Sequence, residues 1–145
     1  MMNYFSLIFT NNSVLRNLQI QAFKNFKLNG ICLEFGANHK LNRNFLKESS
    51  KKYKTFYSNI EKKNKKFLFL DLEKKINHKI KYDNIIIFNV LEHLRNIDQP
   101  LHNIYSMLKK NGKIYGSTPF LYRIHGAPKD YNRYTKDLIK KELEK

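Results

Sequence analysis

Asn89-Val-Leu-Glu-His-Leu94 places an amide, a carboxylate and an imidazole directly behind the unbroken apolar run Ile85-Ile-Ile-Phe88. Such a run of β-branched and aromatic residues suits a strand covered on both faces, as in the middle of a parallel sheet. Ligands of open α/β sheets bind at the carboxyl ends of the strands, so polar groups at this exit read either as the floor of a site or as an ordinary polar exit. A second stretch of the same kind is Leu33-Glu-Phe-Gly36-Ala-Asn38. Gly36 lets the backbone turn sharply and come close to a ligand. Glu34 can accept hydrogen bonds from a ligand ammonium or from loop amides. The pattern G-x-G-x-x-G is absent, because Asn38 stands where its second glycine would be, and a plain strand-to-helix turn would also account for Gly36.

The elements that must position these groups follow from apolar spacing and turn residues. Asn12-Ser13 is a helix N-cap, followed by Val14, Leu15, Leu18, Ala22 and Phe26 at helical spacing, with Phe23 beside them and Ile20 off the stripe. Asn29-Gly30 ends this helix and Ile31–Phe35 forms the first strand. The polar stretch 38–52, with sparse Leu41, Phe45 and Leu46, is expected as a short exposed helix. Tyr53–Ile60 reads as the second strand, Phe67–Leu70 as the third, closed by Asp71, and Ile85–Phe88 as the fourth. Asp98-Gln-Pro100 opens a helix with Leu101, Ile104, Tyr105 and Leu108 on one face, ended by Asn111-Gly112. Lys113–Thr118 is the fifth strand, 119–134 an aromatic and polar loop, and Thr135–Glu144 a short charged helix. Strands alternating with helices predict an α/β, Rossmann-like, doubly wound and mostly parallel sheet with right-handed crossovers. Only about six residues lie between the second and third strands, fewer than the dozen or so of a usual parallel crossover.

The chain of 145 residues is the length of one domain, with residues 1–29 as a helical lead-in and 30–145 as the core. A hydrophobic fraction of 41% argues against a disordered chain. The formal net charge is +16, and Lys40–Lys81 carries 14 of the 28 basic residues. This stretch is either a solvated face or a contact for polyanions such as nucleic acid. Cys32 is the only cysteine, so no internal disulfide is possible, and a reducing, cytoplasmic setting is expected. There is no run approaching the ~20 apolar residues of a membrane helix. His39, His78 and His102 have no metal-ligand spacing, and no metal site is expected.

Taken as an ordered series, these features resemble the class I S-adenosylmethionine-dependent methyltransferases. The series is Glu34-x-Gly36, Asp71, Tyr82-Asp83, Val90-Leu-Glu-His-Leu94 and Leu108-Lys-x-x-Gly112 leading to Ser117-Thr-Pro119. The last part, Pro119-Phe-Leu-Tyr-x-x-His125-Gly-x-Pro128-x-Asp130-Tyr-x-Arg133-Tyr-Thr135, is similar to a branch met in modification of surface polysaccharides and small molecules. The resemblance implies S-adenosyl-L-methionine as cofactor. Glu34, Gly36, Ala37 and Asn38 would line its methionine end, Asp71 and Leu72 the adenine, and Asn89 would lie beneath the sulfonium. Asn59 stands where the family has an acidic residue for the ribose, with Glu61 as a substitute.

The loop from His125 to Arg133 would serve the methyl acceptor, a small molecule or saccharide. His125 would be the base, with His93 as a second candidate, Asp130 orienting the base or replacing it, and Tyr122, Tyr131 and Arg133 holding the acceptor. The resemblance also implies two further antiparallel strands past the last helix, and the chain is expected to be a short version completed by a second copy, a fragment of a longer gene or a degenerate enzyme. The open edge of the fifth strand would then be available to a second copy of the chain. Two other readings of the same residues are a binding module that has lost catalysis and an RNA-binding or RNA-modifying protein using the basic 40–81 face.

Overall fold

The structure, a computed structural model, describes residues 12–40, 43–46, 52–61, 65–126 and 129–144. Five strands form one sheet in the order β3-β2-β1-β4-β5, every neighbouring pair parallel. They are β1 (Gly30–Phe35), β2 (Tyr53–Asn59), β3 (Leu68–Phe69), β4 (Tyr82–Phe88) and β5 (Leu108–Ser117). The three α-helices of the described residues are α1 (Val14–Lys24), α2 (Asp98–Met107) and α3 (Lys136–Leu143), and a 3-10 turn covers Leu91–His93. No helix among the described residues is long and apolar enough to cross a membrane.

Strand β4 lies inside the sheet, and its alternation feeds two apolar clusters. Ile85 and Ile87 point to one face with Leu33, Phe35, Ile104 and Met107. Ile86 and Phe88 point to the other with Cys32, Phe45, Leu46 and Tyr57. Both layers are therefore filled from one run, as expected of a strand buried on both sides. The sheet is Rossmann-like, with α1 on the second face and α2 and α3 on the first.

The second strand is present, and its link to β3 is short. Ser58 and Asn59 pair in parallel with Leu68 and Phe69, and no helix occurs among the described residues of the link. Several details differ from the sequence reading. Helix α1 begins at the expected cap, with Ser13 accepting from the Arg16 amide. It exposes Val14 and Leu18, however, and turns Gln19, Ile20 and Phe23 inward. The reason is aromatic: Phe23 packs edge-on to Phe26 and against Phe45, while Phe26 stacks on Tyr115 with centroids 4.2 Å apart. Burying these rings outweighs the smaller aliphatic stripe.

Phe45 and Leu46 are likewise buried, at 6% and 0% exposure, where an exposed helix was expected. Leu41 lies outside the described residues. Helix α2 ends earlier than its apolar spacing implies. It buries Pro100, Asn103, Ile104 and Met107, leaves Tyr105 exposed, and passes at Leu108 straight into β5. Asn111 adopts the left-handed φ of 64°, so Asn111-Gly112 forms an irregularity within the β4–β5 ladder rather than the helix end. There Tyr82 faces Leu108 while Asn84 already faces Lys113, an offset that loops out the intervening residues.

Candidate functional site

The carboxyl ends of β1, β2, β3 and β4 converge on a crevice of about 370 Å³. Gly36, Asn59, Asp71, Leu72, Asn89 and His93 all line it, as do Glu61 and the apolar side chains Phe35 and Leu70. Its place is the point where the strand order reverses, between β1 and β4. Two residues at this point have left-handed backbones, Gly36 (φ 64°) and Asn89 (φ 54°). A Cβ on Gly36 would come within 2.5 Å of Val90 Cγ2, so only glycine fits there. Asn89 is one of the few other residue types that tolerate this region, and strained backbone of this kind gathers at ligand clamps.

Asn89 is also tied from a distance. Its Oδ1 accepts from Gln19 Nε2 at 2.7 Å, and the same nitrogen donates to Ser117 Oγ at 2.8 Å. Gln19 is 3% exposed, and sequence reasoning missed it because an apolar stripe cannot flag a polar residue facing inward. Asp71 is held on the rim by the Glu73 amide, which donates to its Oδ1, and by Lys74 at 3.1 Å. Leu72 is anchored through its carbonyl, which accepts from Asn103 Nδ2.

Glu34 does not line the crevice. Neighbouring side chains alternate across a strand, and with Phe35 facing the crevice Glu34 faces the opposite layer. There its two oxygens accept from the amides of Phe45 (2.9 Å) and Leu46 (2.7 Å). Burial pushes its carboxyl up to about 7, against the pull of those amides and of Arg16. Ala37 and Asn38 also stand behind the wall. The Ala37 carbonyl accepts from Asn59 Nδ2, and Asn38 is bracketed by Asn44, which accepts from its amide and donates to its carbonyl. Asn59 further accepts from the Glu61 amide at Oδ1, so both ends of its side chain hold the loop. Glu61, paired with His39 at 3.1 Å, is the carboxylate facing the crevice from β2.

At the far end, His93 connects the crevice to the 119–134 loop. Its ring lies edge-on to His125, centroids 5.0 Å apart, and His125 in turn meets Tyr122 edge-on. His125 Nδ1 lies 3.0 Å from Asp130 Oδ2, close but without the alignment of a hydrogen bond. The Asp130 side chain is buried, accepts from the His125 amide, and forms a two-pronged pair with Arg133. Arg133 holds its carboxyl well below the usual range. Arg133 is thus committed to Asp130 rather than directed at an acceptor. Tyr131 donates its amide to the Glu92 carbonyl and receives Arg95 at its hydroxyl.

Glu92 was placed at the strand exit by the sequence but given no role there. It is fully buried, its Oε1 has no hydrogen-bond partner, and that atom lies 3.8 Å from His93 Nε2. Burial raises its carboxyl above the ordinary range, His93 and His125 pulling the other way. The adjacency Glu92-His93 at a strand exit was the available signal.

A parallel sheet with a glycine turn, acidic rims and a crevice at its switch point is the build of α/β proteins that hold nucleotide-like ligands. The chain belongs to the methyltransferase domain family, whose model matches residues 9–140. No curated protein and no solved structure gives a significant match.

Proposed function

We propose that the chain transfers a methyl group from S-adenosyl-L-methionine to an oxygen or nitrogen of a small molecule or saccharide. The observation that carries this reading is the convergence of Gly36, Glu61, Asp71, Leu72 and Asn89 on one crevice. The donor set suits the cofactor. Leu72 and Leu70 offer apolar surface for a base, and Asp71 is an acceptor for its exocyclic amine. Glu61 accepts from ribose hydroxyls, a role that falls to it because Asn59 is spent on the loop. Gly36 and Asn89 let the backbone approach the methionine end, with Glu34 acting from behind by fixing the loop of Phe45 and Leu46.

S-adenosyl-L-methionine supplies, when bound, a methyl group on a sulfonium whose leaving group is already activated. The protein's share is therefore alignment and proton removal. His93 and His125 stand where the crevice meets the acceptor loop. His125 takes the acceptor proton, Asp130 orients its ring, and Tyr122 and Tyr131 flank the acceptor.

Calorimetric titration with S-adenosylmethionine and S-adenosylhomocysteine tests the reading, with binding expected for both. No heat at millimolar ligand would overturn it. Replacing Asp71 by Ala removes a charged acceptor, a loss of about 1.5–3 kcal/mol or roughly 10- to 150-fold in affinity. Unchanged affinity in that variant would remove Asp71 from the site.

A further inference from the structure

The acceptor end of the crevice sets Glu92, a buried carboxylate that the methyl-transfer reading leaves without a role, beside His93 and His125. The ligating atoms of Glu92, His93 and His125 all lie within 4.8 Å of one another. We propose that these three residues bind one divalent transition-metal cation, which in turn would seat the acceptor.

The first support is the unpartnered oxygen of a buried carboxylate. Glu92 is 0% exposed, its Oε2 accepts from Thr118 Oγ1 at 3.5 Å, and its Oε1 has no partner, an arrangement that costs free energy unless a proton or a cation completes it. That oxygen faces His93 Nε2 across 3.8 Å. Two tetrahedral ligands of one cation, each at about 2.0–2.2 Å, stand roughly 3.3–3.6 Å apart, so a closure of a few tenths of an ångström would seat the ion.

The second support is the state of the histidine rings. His93 Nδ1 lies 2.7 Å from the Lys129 carbonyl, which can only accept, so Nδ1 carries a hydrogen and Nε2, facing Glu92, is the nitrogen left to bind an ion. A metal-binding imidazole is ordinarily held in this way, its outer nitrogen donating to a carbonyl or carboxylate. His125 has the Asp130 carboxylate against its ring, and Arg133 locks that carboxylate in place. Both rings are thus fixed by a surrounding layer of contacts.

The third support is access and composition. His93 lines the crevice and the His125 side chain is one-third exposed, so an ion can enter and coordination positions can remain open. Two imidazoles and one carboxylate select for ions such as Zn²⁺, Co²⁺, Mn²⁺ or Fe²⁺ over Ca²⁺ and Mg²⁺, which favour all-oxygen shells. The expectation of no metal site rested on His39, His78 and His102. Glu92-His93 and a histidine 32 positions downstream were not weighed together, because only the folded loop brings them close.

The catalytic meaning of the ion rests on the methyl-transfer reading. An acceptor hydroxyl at an open position of the cation would be polarised and release its proton to water. His125 then serves as a ligand, and its role as base applies to the metal-free chain. Ion binding itself does not depend on that reading.

The test is titration of the full chain, first stripped with a chelator, with Co²⁺ alone, followed by calorimetry and visible absorption. One equivalent per chain is expected, with the absorption bands of nitrogen- and oxygen-ligated Co²⁺. His93→Ala and His125→Ala should each weaken binding at least about tenfold, the lower bound for disturbing such a site. Glu92→Gln should do the same where circular dichroism reports a native fold. His125 is on a partly exposed loop, so its variant decides the matter even if Glu92→Gln fails to fold. No Co²⁺ binding at millimolar concentration, or binding unchanged in both histidine variants, overturns the inference. Parallel titration with S-adenosylhomocysteine in chelator separates the two claims, since ligand heat without Co²⁺ binding leaves methyl transfer intact. Co²⁺ binding without ligand heat leaves the metal site and removes the cofactor.

Discussion

Glu34→Ala is expected to destabilise the protein by about 2–6 kcal/mol, because it strands two buried amides at about 1–3 kcal/mol each. The amides belong to Phe45 and Leu46, which are themselves part of the core. The same carboxyl makes stability depend on pH. Its folded value of about 7 is raised above the reference of 4.5, so the folded chain holds a proton that the unfolded chain releases. The contribution is therefore fully present below about 4.5 and is lost as pH rises through about 7. At about 1.36 kcal/mol per unit, the swing is about 3 kcal/mol. Urea denaturation at pH 5 and pH 8, compared between the native chain and Glu34→Gln, isolates this group from the histidines. Equal pH dependence in the two proteins would show that Glu34 is not the carrier.

Asn103→Leu is expected to have the second large effect, and to connect stability with ligand binding. Asn103 is 1% exposed and gathers the chain after β3: its Nδ2 donates to the carbonyls of Leu72 and Lys74, and its Oδ1 accepts from the Ile76 amide. Leucine fills a comparable volume but leaves these groups unpaired, a cost of about 2–5 kcal/mol. The segment it releases carries Asp71 and Leu72, so affinity for S-adenosylhomocysteine should fall as well. Amide hydrogen exchange over residues 71–76 should rise in the variant while β4 keeps its protection. If exchange and affinity stayed as in the native chain, Asn103 would be a filler rather than a clasp.

Much of the sheet was readable before folding. Ile85–Phe88 is a buried strand because four consecutive large apolar residues need cover on both sides, and the sheet provides it. Gly36, Asp71 and Asn89 were each placed at a strand exit, and strand exits of a parallel sheet lie along one edge, so their meeting followed from topology. Side-chain direction was harder. Glu34 stands two residues from Gly36, yet the alternation of a strand sends it to the opposite layer from Phe35, where loop amides meet it. Helix α1 defeated the apolar-stripe reading because its inward face mixes Gln19 with Phe23, and the partners of both lie far along the chain. Arg133 sits three residues from Asp130, and this proximity turned it inward to its neighbour rather than outward to an acceptor. None of these choices has a local signature, since each is decided by which surface the rest of the chain presents.

The tie between Gln19 and the exits of β4 and β5 bears on where this unit can be cut. The first turns of the described chain are woven into the sheet, because Phe23 and Phe26 shield Phe45, Phe88 and Tyr115 while Gln19 braces Asn89. A version trimmed to start at Gly30 would bare a greasy aromatic plateau and let the Asn89 kink relax. Such a fragment should clump rather than fold, so the helix and the sheet make one indivisible folding unit.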